Sequence, residues 1–374
     1  MSLSHTDFYD PFHGHSTDDL QVLYENFVQS VGPNKTHRGF VYLAGDSSLD
    51  NKYWFTSRAK AVNGYEKVLR PPKMKTDIAY WVNKMMEETV EDGNKYFCLN
   101  TAVEESTIGS RACGRLLEQD QFIKEHITPH DVLVVSVGGN DIALAPNCCT
   151  IVNMLLLLKC ATKGMIANGM GTSIPCDDSF CGFGCSCLST FCAWPLGTGY
   201  FIHLFKNRIE AYLKNLTCIH KPRKILVCMI YYVDENSNAQ SWANSAIKAL
   251  GYDTDPEKLQ TMIRMIFKIA TSQISIPGTE IVPVPLFCAL DGKNTSDYIA
   301  RVEPSASGGE VMSQLLMTGI MENDAVNIMH TMFATHEASI NEGSAVIGKN
   351  GINGIRSIAV NADSATDGMK PISR

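Results

Sequence analysis

The chain has 374 residues, of which 45% are hydrophobic and 19% charged, enough to bury a sizeable core without a metal or disulfide staple. Lys and Arg total 32 against 39 Asp and Glu, a net charge of −7, which argues against a general nucleic-acid binder with its basic face. No apolar run approaches the ~20 residues of a membrane span, and the N-terminal MSLSHTDFYDPFHGHS lacks the apolar core of a signal peptide, so a cytoplasmic chain with reduced thiols is expected.

In chain order, the first element is a helix over 16–31, with Ser16 as cap, acids in its first turn and apolar residues at 20, 23, 27 and 31. GFVYLAGD (39–46) reads as a buried strand. A helix is expected over 106–126, then a strand over VLVVSVGG (132–139). Residues 148–198 hold eight of the 13 cysteines with little periodicity, and read as one insertion. A helix over 199–216 follows, then a strand over 224–232. The next helix spans 256–274, with Pro256 in its first turn. A strand over 280–287 and a helix over 310–321 close the pattern. Strand–helix alternation of this kind specifies a doubly wound α/β sheet whose ligands sit beyond the carboxyl ends of the strands. The expected organisation is an N-terminal extension and first helix (1–38), one α/β domain (39–320) carrying the insertion, and a C-terminal helix and tail (321–374).

Two motifs carry chemistry. GDSSLDN, Gly45 to Asn51, follows the first strand directly, and a small Ser on a strand-to-turn junction is exposed where a nucleophile is needed. Ser and Asp at such a place also serve as helix caps. VGGNDIAL, Val137 to Leu144, follows another strand of the same sheet. Gly138 and Gly139 let the backbone approach a ligand, and Asn140 offers an amide donor that, with backbone N–H groups, could form an oxyanion hole. An Asn–Asp turn is the plain alternative, but Ser47 and Asn140 at one sheet edge are more specific than either alone.

These blocks resemble those of the GDSL, or SGNH, hydrolase family. GDSSLDN is similar to its first block and GGND to its third, while NTAVEEST (100–107) looks like the second and LDGKNTSDYIARVEPSASGGEVM (290–312) occupies the place of the last. The resemblance implies a flavodoxin-like three-layer α/β/α sandwich with a parallel sheet. It also implies hydrolysis of carboxylic esters or related acyl groups, with Ser47 as nucleophile and its N–H and Asn140 holding the oxyanion. Asp46, Gly139 and Asp141 would line the site.

The sequence departs from the family pattern twice. Where the second block has Gly, this chain has Glu105, a carboxylate that would oppose a developing oxyanion unless it points away or pairs. Where the last block has Asp-x-x-His, Ala300 and Glu303 stand. Glu303 is then one candidate base, provided burial or neighbouring charge raises its proton affinity. A histidine from elsewhere is another: His13, His15, His203, His330 or His336. The third possibility is a non-hydrolytic, ligand-binding member of the fold with an altered carboxylate site at Glu105 and Glu303.

Other signals weigh less. Asp234 and Glu235 follow the strand over 224–232 at its carboxyl end, where they cap the next helix or add acidity to the pocket; Arg301 is the nearest cation for an anionic substrate. GSAVIGKN (343–350) falls short of a phosphate-binding loop, lacking the Ser or Thr and a preceding strand. Cys148, Cys149, Cys160, Cys176, Cys181, Cys185, Cys187 and Cys192 read as free thiols before a zinc site or disulfides. Phe180, Phe183, Phe191 and Trp194 pack in a core or line an acyl pocket. The expected ligand is a small ester or acyl compound, with no cofactor, metal, nucleic acid or transmembrane segment, and a homodimer through the tail or insertion is one further possibility.

Overall fold

The computed structural model describes residues 2–32, 35, 37–169, 197–323 and 332. Five strands form one sheet: β1 (His37–Gly45), β2 (Lys95–Asn100), β3 (Val132–Ser136), β4 (Lys224–Met229) and β5 (Glu280–Pro285). Their order is β2-β1-β3-β4-β5 and every pairing is parallel, the flavodoxin-type arrangement. The three-layer sandwich expected from the resemblance is therefore the fold found.

Strand side chains alternate between two cores, as a sheet covered on both faces requires. Phe40, Tyr42 and Ala44 of β1 point into one cluster with Leu133 and Val135 of β3 and Ile225 and Val227 of β4. That face is covered by α1 (Thr17–Val28), α3 (Glu118–His126), α4 (Ile209–Leu216) and α5 (Pro256–Ile269). Val41 and Leu43, Val132 and Val134, and Leu226 and Cys228 point the other way, under α2 (Ile78–Thr89) and α6 (Ala306–Met321). Each fully buried Leu, Ile or Val contributes about 1.5–3 kcal/mol, so the alternation fixes the register of every strand.

The structure adds two elements and shortens another. Strand β2 offers only four apolar residues, Tyr96 to Leu99, in sequence. It is a strand because β1 pairs with it from His37 to Leu43. Helix α2 starts at the N-cap Asp77, whose carboxylate accepts from the Tyr80 N–H at 2.8 Å. The helix expected over 106–126 exists only from Glu118. Cys113 and Gly114 both take positive φ, and the Ile108 and Gly109 N–H groups are drawn away to the Asp141 carboxylate, at 2.7 and 3.0 Å. Tertiary hydrogen bonds have overridden the local pattern there.

The 199–216 helix is present, but its middle, His203–Arg208, is π-wound. Three of the four expected strands end two or three residues early and the first ends one early, because the chain turns there to build the site. Of the cysteine cluster, Cys148 and Cys160 are exposed free thiols; residues 170–196, with the remaining cysteines from Cys176 and the aromatic run, lie outside the described residues. So do His330, His336 and the tail from 324 onward, Met332 excepted. Among the described residues, no helix is long and apolar enough to cross a membrane.

Candidate active site

Strand β1 ends at Gly45 with φ 147°, and a Cβ there would sit 1.9 Å from the Ser136 carbonyl of β3. Only glycine lets the two strand ends approach so closely. The Asp46 N–H donates to that same carbonyl at 3.1 Å, and the chain then closes a turn through Asp50 N–H to Asp46 O at 2.9 Å. This geometry leaves Ser47 at the head of the turn, just beyond the sheet edge and 8% exposed. Asp46 itself is buried. Its carboxylate accepts from the Ser48 N–H and hydroxyl at 3.1 and 2.7 Å, and burial pushes it up to about 6.

Two residues beyond the adjacent strand, β3, Gly138 takes φ 105°, packed on Phe205, and caps a five-residue helix, Gly139–Ala143. Asn140 sits in its first turn, buried, and donates from Nδ2 to the Ser106 carbonyl at 3.0 Å. One of its two amide hydrogens remains for a ligand. Asp141 does not line the cavity; its carboxylate ties down the Ile108 and Gly109 N–H groups and so anchors the 103–109 loop. In that loop, Glu105 adopts φ 61°, a left-handed conformation that suits the glycine of the resembled family. Its side chain is exposed and outside the cavity lining.

Glu303 arrives from the far end of the chain on a small hairpin, Tyr298–Ile299 against Glu303–Pro304. The turn holds Ala300 and Arg301, both at positive φ. Arg301 is fully buried and donates to the Asp234 carbonyl from Nε and Nη2, to Asp253 from Nη2 at 2.8 Å, and to Asn244 from Nη1 at 2.9 Å. The Tyr231 hydroxyl donates to the Val302 carbonyl at 2.7 Å, and Asn51 Nδ2 to the Pro304 carbonyl at 3.2 Å. So pinned, Glu303 is 4% exposed and lines the same cavity as Ser47. Burial raises it to about 7; the nearby Ser47 hydroxyl works against that rise, and the Asp46 and Glu105 charges add to it. Its Oε2 has no hydrogen-bond partner among the described residues.

Asp46, Ser47, Ser48, Gly139, Asn140 and Glu303 line a cavity of about 140 Å³. The remainder is apolar, walled by Met229, Ile247, Leu250, Leu259, Met262 and Ile263, with exposed Trp242 and Ala246 also lining it. Among the described residues, no histidine lines it. His13 Nδ1 instead faces the Glu104 carbonyl at 3.2 Å, His15 stacks on Phe8, and His203 accepts from Arg208. Asp234 and Arg301 are likewise used within the hairpin anchor, and Glu235 accepts from Gln260, so none of these three supplies charge to the pocket lining.

One residue was missed by sequence reasoning. Glu104, beside the residue that drew attention, is 3% exposed. Its Oε1 accepts from the Trp54 indole at 3.0 Å, and its Oε2 is unpartnered among the described residues. Burial raises it to about 8, with the Glu303 and Asp50 charges adding to the rise. Its spacing from Asn100 carries no signal, because burial there comes from the N-terminal segment folding over it. Among the described residues, no cluster of three or more His, Cys, Asp or Glu is placed to hold a metal ion.

No family model matches the sequence, and no curated protein matches it. Among solved structures, the chain is similar to a putative GDSL-like lipase from Parabacteroides merdae, at 11% identity and TM-score 0.39, over 77% of this chain and 97% of that one. It is similar to the carbohydrate acetylesterase Est24 from Sinorhizobium meliloti, at 13% identity and TM-score 0.34, over 78% and 99%. A phospholipase A1 from Streptomyces albidoflavus aligns at 11% identity and TM-score 0.33, over 79% and 98%. With likenesses this distant, the chemistry has to be read from the side chains of this protein.

Proposed function

We propose that the protein is a serine-dependent hydrolase of esters with an apolar acyl group. The observation that carries this reading is that Ser47 and a buried Glu303 line one cavity whose remaining wall is mostly apolar. In the proposed reaction, Ser47 Oγ attacks the ester carbonyl carbon as its proton passes to the Glu303 carboxylate. The Ser47 and Glu105 N–H groups and the Asn140 amide stabilise the oxyanion. The intermediate collapses and Glu303 gives its proton to the departing alcohol. Water, deprotonated by Glu303, then releases the acid and restores Ser47. A carboxylate with an ordinary pKa near 4.3 would be a weak acceptor; one raised to about 7 is matched to neutral pH.

Incubation with a fluorophosphonate probe, followed by peptide mapping, tests the nucleophile. Label on Ser47 in folded protein and p-nitrophenyl ester turnover lost in Ser47→Ala are the expected results. A folded protein that takes no label and turns over no ester overturns the reading. That outcome favours the ligand-binding alternative, for which the missing acid at Ala300 speaks.

A further inference from the structure

A second carboxyl belongs to the proposed site, and this inference rests on the reading above. Asp50 and Asn51, consecutive residues of the turn that presents Ser47, hold two distant segments together. The Asp50 carboxylate accepts the Glu104 N–H at 3.2 Å, and Asn51 Nδ2 donates to the carbonyl of Pro304, next to Glu303. Two glutamates more than nine-tenths buried are thus tied to one turn, each with an unpartnered Oε2 among the described residues, and the Glu303 charge is felt at Glu104. Two buried anions that feel each other repel in a poorly screened interior.

We infer that Glu104 is a positioning residue for Glu303: the two buried carboxyls carry one proton between them, held by Glu104 while ionised Glu303 accepts from Ser47. The proton on Glu104 keeps a second negative charge away from the oxyanion and leaves Glu303 as the single acceptor. During the reaction the Ser47 proton travels to Glu303 and back to the alcohol; the Glu104 proton does not move. The order of the two groups agrees, with Glu303 near 7 and Glu104 near 8. Around the pair stand Asp46 and Glu105 beside Glu303, Asp50 and Lys52 beside Glu104, and Tyr231 near both. His13 contacts only the Glu104 backbone carbonyl.

The test is the pH profile of ester turnover by the full chain, wild type against Glu104→Gln, which can keep an acceptor for Trp54. Wild-type kcat/KM is expected to rise through about 7 and fall about tenfold by one unit above the second step near 8. Glu104→Gln should keep the rise and lose the fall. Superimposable profiles overturn the inference. A second readout needs no turnover: Trp54 emission, obtained as the difference from Trp54→Phe, should change with a midpoint near 8 in wild type and stay flat in Glu104→Gln. A flat wild-type signal overturns the proton-holding role even if Ser47 proves to be the nucleophile. An inert Ser47 with the Trp54 titration present overturns the hydrolase reading alone.

Discussion

Arg301 donates from both Nε and Nη2 to the carbonyl of Asp234, and this fork fixes the hairpin that brings Glu303 into the cavity lined by Ser47. The guanidinium replaces, in a mechanical sense, the acid that the resembled family places three residues before its base. Ala300 holds no side chain that could orient Glu303; the backbone on either side of it is held instead.

The first prediction follows from that fork. Lysine keeps the charge of Arg301 but cannot make four directed bonds. Arg301→Lys should lower kcat by about tenfold or more with little change in KM, because the base is mis-set while the apolar pocket is intact. Arg301→Ala, which strands Asp253 without its partner, should cost about 3–5 kcal/mol in denaturant unfolding. Equal kinetics for Arg301→Lys and wild type would remove the hairpin from the account.

Glu105 offers a gain. Its left-handed backbone costs about 1 kcal/mol for a non-glycine residue, and its charge lies near Glu303. Glu105→Gly should leave stability equal or up to about 1 kcal/mol higher. It should also move the acid limb of turnover to lower pH, since one of the charges raising Glu303 is gone. A limb that moves to higher pH would contradict this.

The apolar wall should set chain-length preference. Ala246 is exposed on the short helix Asn244–Ala249 and lines the cavity. Ala246→Trp should reduce kcat/KM for medium-chain p-nitrophenyl esters by about 10- to 100-fold and leave the acetate ester near wild type. A uniform loss across the series would place the acyl group elsewhere.

Stability should fall as pH rises from about 6.5 to 8. Glu303 and Glu104 are raised in the native state, to about 7 and about 8. The unfolded chain has already released both protons by pH 6, so the native state binds more, and ∂ΔG/∂pH is negative in this window. Asp46 and Asp77, raised to about 6, act with the same sign and mostly below the window, finishing near its low end. Burial lowers His5, His15 and His37, which acts with the opposite sign, but mostly at or below pH 6.5. Urea unfolding should show about 1–2 kcal/mol lost between pH 6.5 and 8, and less in Glu104→Gln. A flat wild-type curve would mean that the pair is ionised at neutral pH.

The sheet was readable because its strands are buried on both faces, which demands continuous Val, Ile and Leu. Ser47 and Asn140 were readable because each follows such a strand within two to four residues. Strand β2 was not, since its short run is a strand only through pairing with β1. Glu104 was not, because nothing local distinguishes it from Glu105: one is buried by His13 and Trp54 and their neighbours, the other is turned to solvent by a left-handed backbone. Arg301 looked like a ligand for anions, and only the fold reveals that Asp234, Asp253 and Asn244 consume its donors.

The Asp50 carboxylate also accepts the Gly14 N–H at 3.1 Å, the Asn100 amide and the Lys52 ammonium, all buried. Two segments far apart in sequence, one at Gly14 and one at Asn100 to Glu104, thus meet on one side chain of the Ser47 turn. The first fifteen residues, part of the N-terminal extension in the sequence reading, are in this respect a keystone: trimming them would leave Asp50 and Glu104 underfilled and wet, so a shortened form should lose its chemistry before it loses its sheet.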